Sequence, residues 1–477
     1  MISTKKVIAE GGGNLTNAKT SAAEAMFYSV PDLFEHQEQT KNFGLDNSRV
    51  FDMSDAGTGK TRAWLEVISD RVKRIGGKVL VIAPKSILKN AWGDDIRKFT
   101  PDLTYSIAYA SNREKAFAAD ADIYITNHDA VKWLLKNKKV LTDDFHTIIV
   151  DESTAFKHRT SQRSKALRKL IAKFEYRALL TGTPNPNGLL DLWHQVFLLD
   201  DGVRLGGSFW RYRGLVCEPT QVGPSPQHLQ WSDKEGMSDA VADLLEDITI
   251  RHVFEECTDI PENHVYTIPF NLSPSHRRAY EVLKEHAILE LKDGGLSAFN
   301  AGVLANKLLQ MASGAVYDDE AVEQLYSTDR YELVLDLVEQ REQCVVAFNW
   351  HHQRDLLVAA AKKRGLTYGV IDGTASDSKR VDIINQFQAG MLRIIFAHPA
   401  SAGHGLTLTR GTATIWASPT YNAEHYVQFN KRIYRIGQTK KSETLLVIAE
   451  GTIDELVAER LMNKVDKMSG LLGMLEY

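Results

Sequence analysis

Short apolar runs recur along the chain between longer stretches in which apolar residues return every three or four positions. The runs at 50–53, 79–83, 123–126, 147–150 and 178–180 are each bounded by polar loops. That pattern predicts strands buried on both faces of a parallel sheet, with helices between them. The same grammar restarts at 344–348, 368–371, 394–397, 414–416 and 444–448. Within that second set, Ser376 caps and Gly390 stops a helix carrying Val381, Ile384 and Phe387 on one face. Two α/β domains are therefore expected, at 26–200 and 331–477, after an N-terminal tail at 1–25.

The middle of the chain reads differently. Gly, Pro, Ser and aromatic residues crowd 202–236, and Pro219, Pro224 and Pro226 argue against continuous regular structure there. Beyond it, Ser273-Pro274 is a cap followed by proline at the first helical position, and an apolar helix is predicted near 303–311. Residues 201–330 are thus expected to form helical protrusions and a linker inserted between the two sheets.

Composition narrows the setting. A chain of 477 residues exceeds one hydrophobic core, and 43% hydrophobic with 25% charged residues is ordinary globular composition. The net charge of −4 gives no global sign of nucleic-acid binding, so any such contact must come from a local patch. Cys217, Cys257 and Cys344 lack metal-ligand spacing, which points to a reducing compartment and no zinc site. The opening Met1-Ile2-Ser3-Thr4-Lys5-Lys6 has no apolar signal core, and no run approaches the roughly eighteen apolar residues of a membrane helix. A soluble intracellular protein with no membrane partner is expected.

The chemistry is carried by Asp55-Ala56-Gly57-Thr58-Gly59-Lys60-Thr61, a glycine-rich loop between a predicted strand and a helix. Glycines let backbone N–H groups converge on phosphate oxygens, the Lys60 ammonium reaches the terminal phosphates, and the Thr61 hydroxyl completes a Mg²⁺ shell. ATP or GTP with magnesium is the predicted ligand. The general pattern has glycine five positions before Gly59, where Ser54 stands. Further on, Asp151 and Glu152 end an apolar strand, placed for Asp151 to hold Mg²⁺ and Glu152 to orient or deprotonate the attacking water. Leu180-Thr181-Gly182-Thr183-Pro184 follows at the end of the next strand. In the second half, Arg432 and Arg435 are three apart and fall on one face of a predicted helix, where they can point together at a γ-phosphate.

Taken in order, these motifs resemble those of the superfamily 2 helicase-type ATPases, specifically the Swi/Snf-like group of DNA translocases. The resemblance covers nearly the whole chain. Leu33-Phe34-Glu35-His36-Gln37 is similar to the adenine-reading motif, Leu80 to Ser86 with Trp92 to the next, and Thr126-Asn127 to a further one. In the second half Asp372-Gly373-Thr374, the run Ser401-Ala402-Gly403-His404-Gly405-Leu406-Thr407, and Gln428 to Gln438 follow in family order. Arg435-Ile436-Gly437-Gln438 and Glu450-Gly451-Thr452-Ile453-Asp454-Glu455 are the group-specific signatures. The chain departs from the group at Thr154, where histidine usually links the acidic box to Thr181, at Thr407 (usually asparagine) and at Tyr434 (usually histidine).

The resemblance implies two RecA-like parallel-sheet P-loop domains with helical insertions between them and ATP in the cleft. Gln37, Gly57, Thr58, Gly59, Lys60, Thr61, Gly405 and Gln428 would hold the nucleotide; Lys60, Asp151, Glu152, Arg432 and Arg435 would act in hydrolysis; Thr61 and Asp151 would hold Mg²⁺. Lys85, Ser86, Thr126, Asn127, Ser401 and Ala402 would touch nucleic acid, largely through phosphates. The basic stretch Lys157, Arg159, Arg163, Lys165, Arg168, Lys169 and Lys173 is either a second contact or a solvated face, and Trp350 with His351 and His352 either stacks on a base or packs a loop. The expected function is an ATP-dependent motor on double-stranded DNA. Alternatives are a strand-separating DNA or RNA helicase on the same core and an ATP-switched DNA-binding assembly factor. Nothing in the sequence singles out a protein partner.

Overall fold

The computed structural model describes residue 30 and residues 32–473, apart from 222–228, 258–259, 294–297, 318–322 and 403–405. The N-terminal tail at 1–25 lies outside the described residues. The strands in chain order are β1 Arg49–Asp52, β2 Lys78–Ala83, β3 Tyr105–Ala108, β4 Ile123–Asn127, β5 Phe145–Asp151, β6 Tyr176–Leu180, β7 Cys217–Gln221, β8 Leu229–Asp233 and β9 Thr249–Ile250. They continue with β10 Asn263–Phe270, β11 Ala315–Tyr317, β12 Glu323–Leu325, β13 Cys344–Ala347, β14 Tyr368–Ile371, β15 Ile394–Ala397, β16 Ala413–Trp416 and β17 Ser442–Ala449.

Two parallel sheets organise the chain. The first runs β3-β4-β2-β5-β6-β1-β9 and the second β10-β17-β16-β13-β15-β14. Each buries apolar side chains on both faces under helices, which is why their central strands read as continuous apolar runs. Phe51, Leu80 and Ile148 serve one face of the first sheet, Val50, Val81 and Ile149 the other.

The intervening region differs from its sequence reading in three respects. Pro219 sits in β7, which pairs antiparallel with β8 in a separate hairpin, while Pro224 and Pro226 lie outside the described residues. Strand β9 joins the first sheet beside β1, and β10 forms the edge of the second, so 201–330 is shared between the domains rather than inserted as a helical unit. β10 escapes a sequence reading because it is an edge strand: its outer positions are exposed and it carries Pro269, which such an edge tolerates.

The C-terminal helix Ile453–Gly473 crosses between the domains. Ala458 and Leu461 pack in the second domain's core, whereas Met468 and Leu472 enter the first domain's. Its first turn is fixed by an ion pair between fully buried Asp454 and Arg330 at 2.5 Å, which gives the Glu450-to-Glu455 signature a structural role. Among the described residues no helix is long and apolar enough to cross a membrane.

Candidate active site

Register brings the motifs of the first domain to one edge. β1 pairs Asp52 with Leu180 of β6, and β5 pairs Asp151 with the same Leu180, so the phosphate loop, the acidic pair and the Thr181–Thr183 turn leave the sheet at one level. This carboxyl edge is where open α/β sheets bind ligands.

The loop is shaped by two glycines in the left-handed region, Gly57 at φ 98° and Gly59 at φ 82°, and Gly59 caps the helix Lys60–Ile75. Any side chain at Gly59 would strike Gln37, since a Cβ there would lie 2.3 Å from its Nε2. The Lys60 ammonium donates to the carbonyls of Ser54 and Asp55, and Thr61 follows on the helix. Buried Asp52 holds the entry to the loop, accepting from the Ser54 N–H and from Trp64 Nε1 at 2.9 Å each. Asp52 carries no motif signal in the sequence and is recognisable only once folded.

In the acidic pair Asp151 is buried, and half-buried Glu152 carries the backbone strain. Asp151 accepts from Trp92 Nε1 at 2.9 Å, and burial together with the neighbouring Glu152 charge holds its carboxyl above the ordinary aspartate range. Glu152 adopts φ 52°, ψ 54°, a left-handed conformation costly for a non-glycine residue and found where function fixes geometry. Thr154 restores the link expected of histidine at its position: its hydroxyl lies 2.7 Å from that of Thr181 and donates to the Thr183 carbonyl at 2.8 Å. A threonine therefore ties the acidic box to the Thr181 turn by another hydrogen bond. His128, which sequence reasoning missed, adds a second tie, its Nε2 2.7 Å from the Asp151 carbonyl oxygen.

The second domain closes the site. Gln428 Nε2 donates to Glu152 Oε2 at 3.1 Å, and a Cβ on Gly57 would lie 3.3 Å from Arg435 Cβ. Arg432 and Arg435 do not share a helix: the helix Ala423–Asn430 ends before them, and the turn that follows delivers both. Arg432 donates to the Gln428 carbonyl and Arg435 to that of Leu406. Burial and, for Arg432, its neighbour Arg435 lower both guanidinium pKa values. Such desolvated cations gain from an anion between the domains. Gly405 lies outside the described residues.

Two cavities flank this centre. One of about 410 Å³ is lined by Phe34, His36, Arg251 and His252, with the Phe34 ring stacked on His36 at 5.7 Å. Gln37 is turned to the loop instead: it accepts from the Phe34 N–H and donates to the Thr58 carbonyl. A second, of about 680 Å³, sets Lys85, Ser86 and Asn127 of the first domain against Thr374 and Arg380 of the second. Thr126 and Ala402 are fully buried, so their side chains cannot reach a ligand; Thr126 donates instead to the Ala108 carbonyl, and Ser401 does not line this cavity. The basic stretch disperses. Arg163 lines the larger cavity, Lys157 pairs with Asp191 and Glu424, Arg159 lies over Phe209 and Trp210, and Lys173 caps carbonyls. His352 is buried under Trp350 with its Nε2 2.7 Å from Ser313 Oγ, which makes it a packing residue, while Trp350 is half-buried and His351 exposed.

Two parallel-sheet lobes, with a phosphate loop and acidic pair on one and buried arginines on the other, define a nucleotide hydrolase of the two-domain helicase class. A model of the SNF2-related domain matches residues 36–313 and one of the helicase conserved C-terminal domain matches 329–437, so the chain belongs to the SNF2-related family and is an ATP-hydrolysing enzyme of helicase superfamily 2. Putative protein p41 of Acyrthosiphon pisum secondary endosymbiont phage 1 is 29% identical over 90% of this chain and 95% of its own length. An uncharacterized ATP-dependent helicase of Mycoplasma pneumoniae is 24% identical over 88% of this chain, which spans 40% of that protein. The DNA annealing helicase and endonuclease ZRANB3 of Mus musculus is 26% identical over 83% of this chain, which spans 36% of it.

Proposed function

We propose that the chain is a DNA-stimulated ATPase that moves along or remodels double-stranded DNA by opening and closing the cleft between its domains. The observation that carries this reading is the 680 Å³ cavity, whose polar walls come from both domains and set Lys85, Arg163 and Arg380 beside two carboxylates, Asp129 and Asp377. A duplex backbone there would touch Lys85, Ser86 and Asn127 on one side and Thr374 and Arg380 on the other. Any change in domain spacing would then change the grip on phosphate. The same closure brings Arg432, Arg435 and Gln428 to the phosphate loop and Glu152, which couples hydrolysis to movement.

In the ATP site the residues suit magnesium nucleotide. The loop amides and Lys60 would hold the phosphates, Thr61 and Asp151 would hold Mg²⁺, and the ion would neutralise charge on the β- and γ-phosphates. Glu152 orients the attacking water and takes its proton. Arg432 and Arg435 offset charge at the γ-phosphate.

ATP turnover measured against duplex DNA, single-stranded DNA and RNA in one series tests the proposal. Duplex should stimulate most, with a steep loss as salt rises. Equal turnover without nucleic acid would remove the motor. Triplex displacement without forked-duplex unwinding distinguishes translocation from strand separation, and unwinding would overturn it in favour of a helicase.

A further inference from the structure

A third cavity, of about 410 Å³, opens on the seam between the domains just beyond the Thr181 turn, away from both sites above. Asn187 and Trp231 wall it from the first domain, Tyr421 and the C-terminal helix from the second. Arg460, Lys464 and Lys467 line it at i, i+4 and i+7 of that helix, hence on one face. Lys464 donates to Asn187 Oδ1 at 3.5 Å and to the Tyr421 carbonyl at 3.2 Å. Arg460 and Lys467 are exposed and form no ion pair among the described residues. The one acid among the described residues lining the cavity, Asp233, accepts from the Leu189 N–H and so holds the β7–β8 hairpin to the loop. Among the described lining residues cations therefore outnumber carboxylates three to one.

Resting on the reading that the chain acts on DNA, we propose that this cavity is a second nucleic-acid site, which takes a nucleotide of a single strand. Arg460 and Lys467 receive the phosphate, and Trp231 and Tyr421 the base. Cations alone would accept any anion. Arg213 already lies 3.8 Å over one face of the Trp231 ring, so a base would use its other face together with Tyr421, adding sequence-tolerant stacking to the cations, the combination by which single strands are held. The cavity volume lies in the range of small-ligand pockets. An acidic peptide would use the cations and leave the rings idle. Because the walls belong to both domains, a bound strand also braces the closed cleft.

Binding of a blunt duplex is compared with that of the same duplex bearing a short single-stranded thymidine tail, by fluorescence anisotropy on the full chain. The tail should tighten binding on the order of tenfold. The R460A/K467A variant should lose that gain and lower the salt slope by about 1–2, with blunt-duplex affinity unchanged. Trp231→Ala should lose the gain and Trp231→Phe keep part of it, which separates stacking from loss of the hairpin. No gain in the wild type, or a gain that survives both variants, overturns the site. Equal displacement of the tail by oligoglutamate of matched charge overturns it in favour of an acidic peptide. A tail that binds while blunt duplex neither binds nor stimulates hydrolysis supports the site and removes the duplex motor instead.

Discussion

Gln428 and Glu152, separated by 276 residues in the chain, meet across the cleft at 3.1 Å. The glutamine of the second domain thus holds the left-handed glutamate of the first, so the carboxylate proposed to activate water is positioned from the opposite lobe. Glu152→Gln keeps the side chain's size and removes its basicity. Turnover should fall about 10²–10⁴-fold, measured as phosphate release, while binding of a fluorescent ATP analogue persists. Undiminished turnover would strip Glu152 of its role.

The hydroxyl pair of Thr154 and Thr181 connects the acidic box to the turn above it. Thr154→Val preserves shape and removes both hydrogen bonds of that hydroxyl, leaving the Thr183 carbonyl short of a donor. A loss of about 1–3 kcal/mol in denaturant stability is expected. Basal hydrolysis should change less than its stimulation by duplex. Equal loss of both would show the pair to be structural only.

His128 lines the large cavity and lies against the Asp151 carbonyl, so one side chain touches both the proposed duplex groove and the acidic box. His128→Ala should lower duplex-stimulated turnover several-fold more than basal turnover, and His128→Gln should restore part of it. Identical ratios in wild type and His128→Ala would rule out this coupling.

His194 and His352 are buried neutral, each pulled down to about 4 by burial. Each has one ring nitrogen bonded, and the other, His194 Nε2 or His352 Nδ1, without a hydrogen-bond partner. Their folded pKa lies below the unfolded value, so the unfolded chain binds protons first as pH falls. Stability should therefore decline between about pH 6.5 and about pH 4, by on the order of 1–3 kcal/mol per histidine. Melting curves of His352→Asn across that window should show a shallower acid decline than wild type. An unaltered slope would assign the acid sensitivity elsewhere.

Much of this architecture was legible in the chain because parallel strands buried on both faces leave continuous apolar runs, as at β2, β5, β13 and β15. Helix signals were equally local: Ser376 accepts from the Lys379 N–H as a cap, and Gly390 takes φ 80°. The phosphate loop, the acidic pair and the two arginines were visible as motifs, since backbone freedom and charge at fixed spacing are written in residue type. Their meeting was not. Strand pairing at Leu180 sets the loop, the acids and the turn level, and domain packing brings Gln428 and Arg435 to them. Long-range contacts also decided what spacing could not. Thr126 and Ala402 are buried although their motifs led to the expectation of nucleic-acid contact, Thr154 does a histidine's linking with a hydroxyl, and Arg432 and Arg435 leave a turn rather than a helix. Sequence by itself determined which groups the protein possesses. Only the tertiary structure decided which of them face one another, because burial and hydrogen-bond geometry depend on segments hundreds of residues apart.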